Sequence, residues 1–528
     1  MNRRLPAIIA VGCLALAGCT GSSGSASSAK LADGGTFVAR VSTDPSNLDP
    51  RKAADVTTIL FDYFAYDTLI NLDAKGKPVS QLAEKWTSTA TTATFTLRKD
   101  VTCADGTKLS ASMVKQNFDF IKNPKSQTSV IGSQLPDTEF TTTADDATRT
   151  FSITVKKPYS FLLTGAGMIP IVCPKGMANR KILAHGVDGT GPFTLTESVA
   201  GDHYTFTARK GYAWGPAGAG TDVKGFPDKV TFKVVQSTTT AVNLMLTGDL
   251  NALDVAGQDR KRLTGHGYME LTSPGGPLDL FFNERAGHPG ADPQVRRALA
   301  MATDLGQLIK VVTEGDGTAP TDLEVNQPKP CRIPTVPGNL PAHDVDQAKQ
   351  VLDAAGWTVG SGGVRAKGGT RLAVKLLYVS GTPSEDAGME LLRDWWKAIG
   401  VDVTLKGVSA NAVSQTLFSN GGGWDVGALG IGVSYPSQLV GFFSGPAAPA
   451  GQNFPAIQNA DYDRLVKQAG SAAGQEACRQ WAAAEQALIK RTDLLPVSVT
   501  TAYSYGNKAR YVYGVNGIEP TSIRMLAG

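Results

Sequence analysis

Residues 372–405 read LAVKLLYVSGTPSEDAGMELLRDWWKAIGVDVTL, and this stretch decides the fold class. Its first eight residues form an apolar run of the length of a buried strand. The middle places Met389, Leu392 and Trp396 at helical spacing, and Gly400 stands where a helix ends on a left-handed residue. The last five residues alternate as a strand does. The stretch therefore predicts a β-α-β unit, parallel strands and an α/β fold.

The chain on the N-terminal side of this unit carries further predicted elements. Residues 344–356 begin with a capping Asp, have Gln three positions later and place apolar residues at helical spacing, which predicts a helix. Residues 36–41 predict a strand, and residues 57–70 carry apolar side chains at helical spacing. Residues 94–98 alternate as a half-buried strand does.

The N-terminus has the organisation of an export signal. Two arginines precede an apolar run over residues 5–18, which is shorter than the about 20 residues needed to span a bilayer. The run ends in Leu-Ala-Gly-Cys at Cys19, which resembles the lipobox where bacteria attach diacylglycerol and cut the chain. We predict a signal peptide over 1–18, lipidation at Cys19 and a flexible Gly/Ser tether over 19–35. The alternative is an ordinary signal peptide followed by an incidental cysteine.

Size and charge narrow the function further. Removing 18 residues from 528 leaves 510, enough for about three domains. The formal charge of +4 falls to about +2 once the two signal arginines leave, which is no basis for binding nucleic acid. Lipidation would hold the protein on the outer face of the cytoplasmic membrane.

Four cysteines remain beyond the signal and the lipid site. They are Cys103, Cys173, Cys331 and Cys478. An even number in an exported protein predicts two disulfides, and their spacing leaves all three pairings open. Four buried free thiols are the alternative.

Catalytic signatures are missing from the sequence. None of the five histidines is followed by Glu or pairs with another four positions on, and no Gly-x-Ser-x-Gly elbow occurs. The pair Gly76-Lys77 is followed by Pro78, and the Gly430-Ile431-Gly432 segment lacks the third glycine of a dinucleotide fingerprint. We therefore predict no metal, no cofactor and no catalytic residues, and favour a binding protein.

Short motifs follow one another through nearly all of the mature chain. They are Ser46–Pro50, Gln81–Trp86, Phe95–Lys99, Asp105–Thr107, Gly189–Phe193, Ser237–Leu250, the block Phe282–Asn283 with Val295–Leu299 and Asp304, and Ala348–Trp357. In this order they resemble the large solute-binding lipoproteins of ABC importers, the family that binds oligopeptides, dipeptides, nickel complexes and some sugars. Most of the motifs are structural: we expect Arg296 and Asp304 to brace a helix.

The resemblance implies a periplasmic-binding-protein-like (type II) α/β fold of two lobes. The lobes would be joined by crossing segments near Leu278–Asn283 and Leu495–Thr500 and would close on the ligand. The implied division is 36–280 plus 496–528 for lobe I, with 63–189 as its extra subdomain, and 281–495 for lobe II.

The loop that would face the ligand departs from the family pattern. In peptide binders the sequence after Trp-Asp reads Gly-Trp-x-Ala-Asp-Tyr, and its Asp takes the peptide ammonium. Here Ile431 stands for the Trp and Ser434 for the Asp, and a neutral hydroxyl does not offset a buried ammonium. Either the ligand carries no ammonium there, or another acid such as Asp279 or Asp44 takes the charge. The implied ligand residues are Trp424, Gly430, Ile431, Gly432, Ser434, Tyr435 and Asp279.

The same lobe assignment implies a disulfide pairing. Cys103 and Cys173 fall in the extra subdomain, and Cys331 and Cys478 fall in lobe II. We expect these two pairs, because a bridge between lobes would lock the hinge.

The leading interpretation is a lipid-anchored capture protein that is not an enzyme. It would take a peptide or peptide-like solute and pass it to the membrane subunits of an ABC permease. Three alternatives stay open: a solute-sensing lipoprotein, a binder of a non-peptide ligand such as a metal complex or a glycoside, and a lipid-anchored hydrolase.

Overall fold

The protein is described by a computed structural model over residues 30–527, apart from 53–54, 127, 129, 132–133 and 420. The predicted signal peptide, the lipid site Cys19 and the tether as far as residue 29 lie outside the described residues. Within the described ranges, no helix combines the length and the apolar character needed to cross a membrane.

Strands and helices are numbered in chain order. The strands are β1 (Thr36–Val41), β2 (Ile70–Leu72), β3 (Pro78–Ser80), β4 (Ala83–Ser88), β5 (Thr92–Leu97), β6 (Phe140–Asp145), β7 (Thr150–Val155), β8 (Phe193–Val199), β9 (His203–Ala208), β10 (Lys229–Val234), β11 (Ala252–Val255), β12 (Met269–Phe282), β13 (Gly317–Thr318), β14 (Thr358–Val359), β15 (Arg365–Lys367), β16 (Thr370–Arg371), β17 (Ala373–Val379), β18 (Asp402–Val408), β19 (Val426–Leu429), β20 (Leu494–Gly506), β21 (Ala509–Arg510), β22 (Tyr513–Gly514), β23 (Gly517–Ile518) and β24 (Arg524–Met525). The helices are α1 (Val56–Ala65), α2 (Ala111–Lys122), α3 (Leu162–Gly167), α4 (Pro174–Ala178), α5 (Thr238–Thr247), α6 (Gln258–Lys261), α7 (Pro293–Met301), α8 (Leu305–Val312), α9 (Val345–Ala354), α10 (Pro383–Ala398), α11 (Ala410–Leu417), α12 (Val440–Phe443), α13 (Ala460–Ser471) and α14 (Gly474–Lys490).

One large sheet runs through both lobes. Its order is β18-β17-β19-β12-β20-β11-β1-β10-β9-β8, with β13 added on β20. The long strands β12 and β20 pair antiparallel in the middle of this order. Their register is interrupted between Pro274 and Pro277, because proline offers no N–H to the ladder. The two-lobed α/β architecture is thereby confirmed.

The change from one lobe to the other takes place inside β12 and β20. The last four residues of β12 pair with β19, and Leu280 packs in the second-lobe core. Leu495 and Val497 of β20 pack in the same core. We therefore propose 274–278 for the first crossing, predicted near 278–283, and 498–502 for the second, predicted near 495–500. Strand pairing places Leu280 with lobe II, so we propose a division shortly before residue 280 in place of the predicted one after it.

The first lobe is built around aromatic side chains of α1. Asp55 caps this helix, and its carboxylate accepts a hydrogen bond from the backbone N–H of Thr58 at 2.8 Å. Phe61 and Phe64 then pack on Phe206 and Phe232 of the sheet. The helix predicted over 57–70 ends at Ala65, because the backbone is already extended at Tyr66 and the chain enters β2 at Ile70.

The extra subdomain is a separate layer on this lobe. Its antiparallel sheet has the order β4-β5-β7-β6, and α2 packs against it. The subdomain core draws on residues between 69 and 171, with Tyr212 and Trp214 added from outside. It is narrower than the predicted 63–189, because Phe64, Tyr66 and Leu183 pack in the first-lobe core.

The second lobe contains the β-α-β unit predicted over residues 372–405. Strands β17 and β18 pair in parallel, and α10 connects them. Trp396 is completely buried, and its indole N–H donates to the carbonyl of Leu299 at 3.1 Å. Gly400 follows the helix with a φ of +90°. The predicted unit is confirmed.

Two charged residues of the diagnostic block have structural roles. Arg296 is buried; it donates to the carbonyls of Thr492 and Gly290 at 2.9 and 2.8 Å and forms an ion pair with Asp493 at 3.0 Å. Asp304 caps α8. The disulfides are Cys103–Cys173 and Cys331–Cys478, as expected, so each connects residues of one lobe.

Candidate functional site

A cavity of about 640 Å³ lies between the lobes. Its volume is within the range of small-molecule sites in proteins. Lobe I, including the extra subdomain, contributes Val56, Ile59, Ala74, Asp254 and the hairpin Tyr513–Gly517; the crossing contributes Ser273 and Pro274; and lobe II contributes Asn326, Gln327, Pro328 and Ser434. A solute in this cavity would touch both lobes, so binding and closure would be coupled.

A second cavity of about 340 Å³ continues the first along the crossing strands. The two cavities share Ser273, Pro274 and Gln327. The remaining walls are formed by Thr272, by residues 318–322 and 499–501, and by parts of 324–329. Together the two cavities form a cleft that follows the hinge.

Buried acids support the second-lobe wall of this cleft. The ammonium of Lys329 pairs with Asp322 and donates to the carbonyl of Glu324 at 2.6 Å. Burial raises the pKa of Glu324 and of Glu485, and the negative charge of Glu485 raises that of Glu324 further. Thr335 donates to Glu485 at 2.7 Å. The raised pKa values favour a protonated carboxyl at this pair, which lets two acids lie together beside the cleft.

Ser434 is the residue of the predicted ligand loop that lines the larger cavity. Its backbone N–H donates to the side-chain carbonyl of Gln438 at 3.1 Å, which fixes the loop backbone. A Cβ on Gly430 would lie 2.0 Å from the carbonyl oxygen of Pro277, so the loop requires glycine there to pack on the crossing strand. Gly430 therefore positions the loop.

Trp424 and Asp279 do not line the cleft. Trp424 is 0% exposed and packs beside Phe454 in the second-lobe core, so we propose a core role for it in place of the predicted ligand contact. Asp279 is 8% exposed and accepts a hydrogen bond from the backbone N–H of Ile431. Burial raises the pKa of Asp279 to about 7, although this hydrogen bond lowers it. Asp279 therefore supports the loop from beneath through its hydrogen bond with Ile431.

The other predicted ligand residues lie around the loop. Ile431 is partly buried against the second-lobe core, and a Cβ on Gly432 would approach Asn326 at 3.1 Å. Asp44, the other candidate acid, accepts hydrogen bonds from Tyr204 and from the backbone of Gly201, each at 2.8 Å, and is not part of the cavity wall.

Tyr435 belongs to a contact between the lobes. Its ring packs on Phe161 of the extra subdomain, with centroids 5.1 Å apart, and Phe161 also stacks on Trp481. The indole N–H of Trp481 donates to the hydroxyl of Ser160 at 3.2 Å, and that hydroxyl donates to the carbonyl of Ala469. We call these side chains, Ser160, Phe161, Tyr435 and Trp481, the latch. The latch holds the lobes together next to Ser434.

Sequence reasoning missed most of the first-lobe wall. Asp254 lies in β11, which pairs with β20, and the Tyr513–Gly517 hairpin follows β20 closely. The available signal was the sequence Tyr-Gly-Val-Asn-Gly, because its two glycines and its asparagine are typical of a turn. Across the described residues, no group of three or more His, Cys, Asp or Glu is arranged to hold a metal ion.

Residues 77–447 match the family described as bacterial extracellular solute-binding proteins, family 5 Middle. Protein XP55 of Streptomyces lividans is 28% identical over 75% of this chain and 72% of that protein. The periplasmic murein peptide-binding protein MppA of Escherichia coli is 25% identical over 90% of this chain and 89% of that protein.

Solved structures agree in fold over nearly the whole chain. A substrate-binding protein from Microbacterium hydrocarbonoxydans, complexed with 4-hydroxybenzoate hydrazide, is 26% identical with a TM-score of 0.68 and covers 93% of this chain and 99% of its own. The ABC transporter substrate-binding protein CtaP of Listeria monocytogenes is 21% identical with a TM-score of 0.79 and covers 94% of this chain and 100% of its own.

Proposed function

The chain belongs to family 5 of the bacterial extracellular solute-binding proteins, and from this premise we propose that it captures a peptide or peptide-like solute and delivers it to an ABC importer. The observation that carries the proposal is the interlobe cavity of about 640 Å³, whose wall is shared by both lobes and the crossing strands. MppA, a murein peptide-binding protein, supports the peptide class.

Capture would work through closure of the two lobes. A solute that contacts Asp254 on one lobe and Ser434 on the other stabilises only the state in which both walls face each other. Delivery follows when a permease favours the open state and the solute loses one of its walls. This role needs no bond to be made or broken, so the solute leaves unchanged.

Lipid anchoring at Cys19 is part of the proposal. The Leu-Ala-Gly-Cys sequence supports it, and the tether to residue 35 would let the lobes reach the membrane subunits. Cys19→Ser should abolish incorporation of labelled diacylglycerol and leave the signal peptide uncleaved by the lipoprotein peptidase. Normal labelling of this variant would contradict the anchor.

A non-peptide organic solute is the second candidate. Ser434 stands where peptide binders of the family have the Asp for the ammonium, and the Microbacterium relative is complexed with a hydrazide. A free peptide amine carries a full positive charge and needs a counter-charge at that position. An aromatic hydrazide carries no such charge and does not need one.

Native mass spectrometry of the purified protein tests the proposed function. We expect one small solute per chain, released with unchanged mass after prolonged incubation. Fragmentation of the released solute distinguishes a peptide from another organic molecule. Time-dependent conversion of the bound solute would contradict a capture role and favour a hydrolase.

A further inference from the structure

We propose that Asp254 receives a cationic group of the solute, so that the solute is an amphipathic cation with its charge on the first-lobe wall. This inference rests on the proposed function and adds the chemical class of the solute. It also identifies a carboxylate that would offset a positive charge on the solute, since the loop offers only the neutral hydroxyl of Ser434.

Asp254 is distinguished by its charge. Among the described residues that line the larger cavity, it is the one with a formal charge at neutral pH. The polar residues around it, Asn326, Gln327, Ser434 and Asn516, are neutral and offer amides and a hydroxyl. Such a wall has one place for a cation and several for neutral polar groups, and it offers no counter-charge to an anion.

The geometry holds Asp254 ready for a ligand. Its backbone lies in β11 opposite Ser504 of the crossing strand, which fixes its position at the hinge. The hydroxyl of Tyr513 donates to one carboxylate oxygen. Burial, and then the negative charge of Asp254, raise the pKa of Tyr513, so this phenol remains a donor. The side chain is exposed to the cavity and already orientated.

Among the described residues, the side-chain hydrogen bond of the Asp254 carboxylate comes from the uncharged hydroxyl of Tyr513 and not from a cation. Arg40 interacts with it electrostatically, but the guanidinium of Arg40 donates to the carbonyls of Val235 and Gln236 at 2.8 and 3.0 Å. The carboxylate is therefore available for a donor that arrives with the solute.

Apolar side chains on the same wall describe the rest of the solute. Val56 and Ile59 lie one turn apart on α1 and are 83% and 36% exposed, although both are large and apolar. Pro274 and Pro328 add apolar surface from the crossing and from lobe II. Exposed apolar surface in a cleft is typical of a binding site, and it favours an apolar body beside the cation.

The test uses three matched probes that differ only at the amino terminus. Leucyl-leucinamide is cationic, N-acetyl-leucyl-leucinamide is neutral, and N-succinyl-leucyl-leucinamide is anionic. Isothermal titration calorimetry with the intact protein should rank their affinities in that order. Asp254→Asn keeps the shape of the side chain and an acceptor for Tyr513, and should weaken binding of the cationic probe about tenfold to a hundredfold.

The neutral probe and a matched variant control for damage to the fold. Asp254→Asn should change the affinity for the neutral probe less than about threefold. Asp100→Asn removes the same charge from an exposed residue outside the cavity wall and should leave all three affinities unchanged.

Two results would overturn parts of this account and can be told apart. Binding of the probes without preference for the cation, or a preference that survives Asp254→Asn, overturns the role of Asp254 and leaves the capture function standing. Failure of all three probes to bind overturns the peptide capture function, and the inference falls with it.

Discussion

Asp279 shows how one buried carboxylate supports the ligand loop. Its described hydrogen-bond donor is the backbone N–H of Ile431, and burial raises its pKa to about 7. The unfolded chain ionises this carboxyl near pH 4, whereas the folded chain keeps it protonated until about pH 7. Its contribution to the free energy of unfolding is therefore fully present below pH 4 and is lost as the pH rises to about 7.

Asp279→Asn should remove this pH dependence. The loss between pH 4 and pH 8 amounts to about 3–4 kcal/mol in the wild type, from about 1.4 kcal/mol per unit of pKa shift. Urea unfolding at the two pH values measures it. The variant should show a smaller difference between them, and an identical difference in both proteins would show that Asp279 is ionised in the native state.

Ser434 is, with Ile431, one of the loop residues at which this sequence departs from the pattern of the peptide binders that it resembles. It lines the cavity, and the solute group that faces it is predicted to carry no ammonium. Ser434→Asp would then place an unpaired carboxylate in a closed cleft, which should weaken binding of the co-purified solute by roughly a hundredfold. Ser434→Asn is the neutral control for calorimetry. Unchanged or tighter binding by the Asp variant would reveal an amine at this position.

At the scale of elements, local patterns were sufficient for the regular units. The β-α-β unit and the capped α9 could be predicted because strand runs, helical spacing and caps are local properties. The exact crossing could not, since the position of Leu280 is decided by pairing with β19, far along the chain. Asp254 was missed for the same reason: β20 brings β11 and the Tyr513–Gly517 hairpin together. The burial of Trp424 could not be predicted either, because a motif identifies a loop without saying which of its side chains face outward.

The disulfides close loops inside each lobe, with sequence separations of 70 for Cys103–Cys173 and 147 for Cys331–Cys478. Loops of this length restrict the unfolded chain, so replacing either pair by serine should lower the free energy of unfolding by about 3–5 kcal/mol. Peptide mapping without reductant should recover these two pairs. A peptide linking Cys103 to Cys331 or Cys478 would contradict the lobe assignment.

The latch connects the ligand loop with lobe closure. Phe161 is 5% exposed because Tyr435 and Trp481 cover it from the other lobe. Phe161→Ala should destabilise the closed state by about 3 kcal/mol at most and raise the Kd of the solute by tenfold or more. Val223→Ala, at an exposed apolar residue, is the control. An unchanged Kd for Phe161→Ala would exclude the latch from ligand binding.

At the scale of the whole molecule, two rigid units meet along one hinge. Each lobe has its own apolar core and its own disulfide, while the crossing strands carry the prolines that interrupt the ladder. Because each lobe is rigid and the strand ladder is interrupted at the hinge, the lobes are expected to move relative to each other as rigid bodies. The cleft of two connected cavities lies between the two lobes along this hinge, so closure brings its two walls together.

The distance between the lobes tests the central claim most directly. In the chain without residues 1–19, spin labels at Ala200→Cys and Asp346→Cys would report from exposed positions on lobe I and lobe II. Electron–electron double resonance would measure their distance distribution with and without the co-purified solute. We predict that saturating solute moves the distribution to a single, shorter population. A distribution unchanged by saturating solute would contradict capture by closure of the lobes.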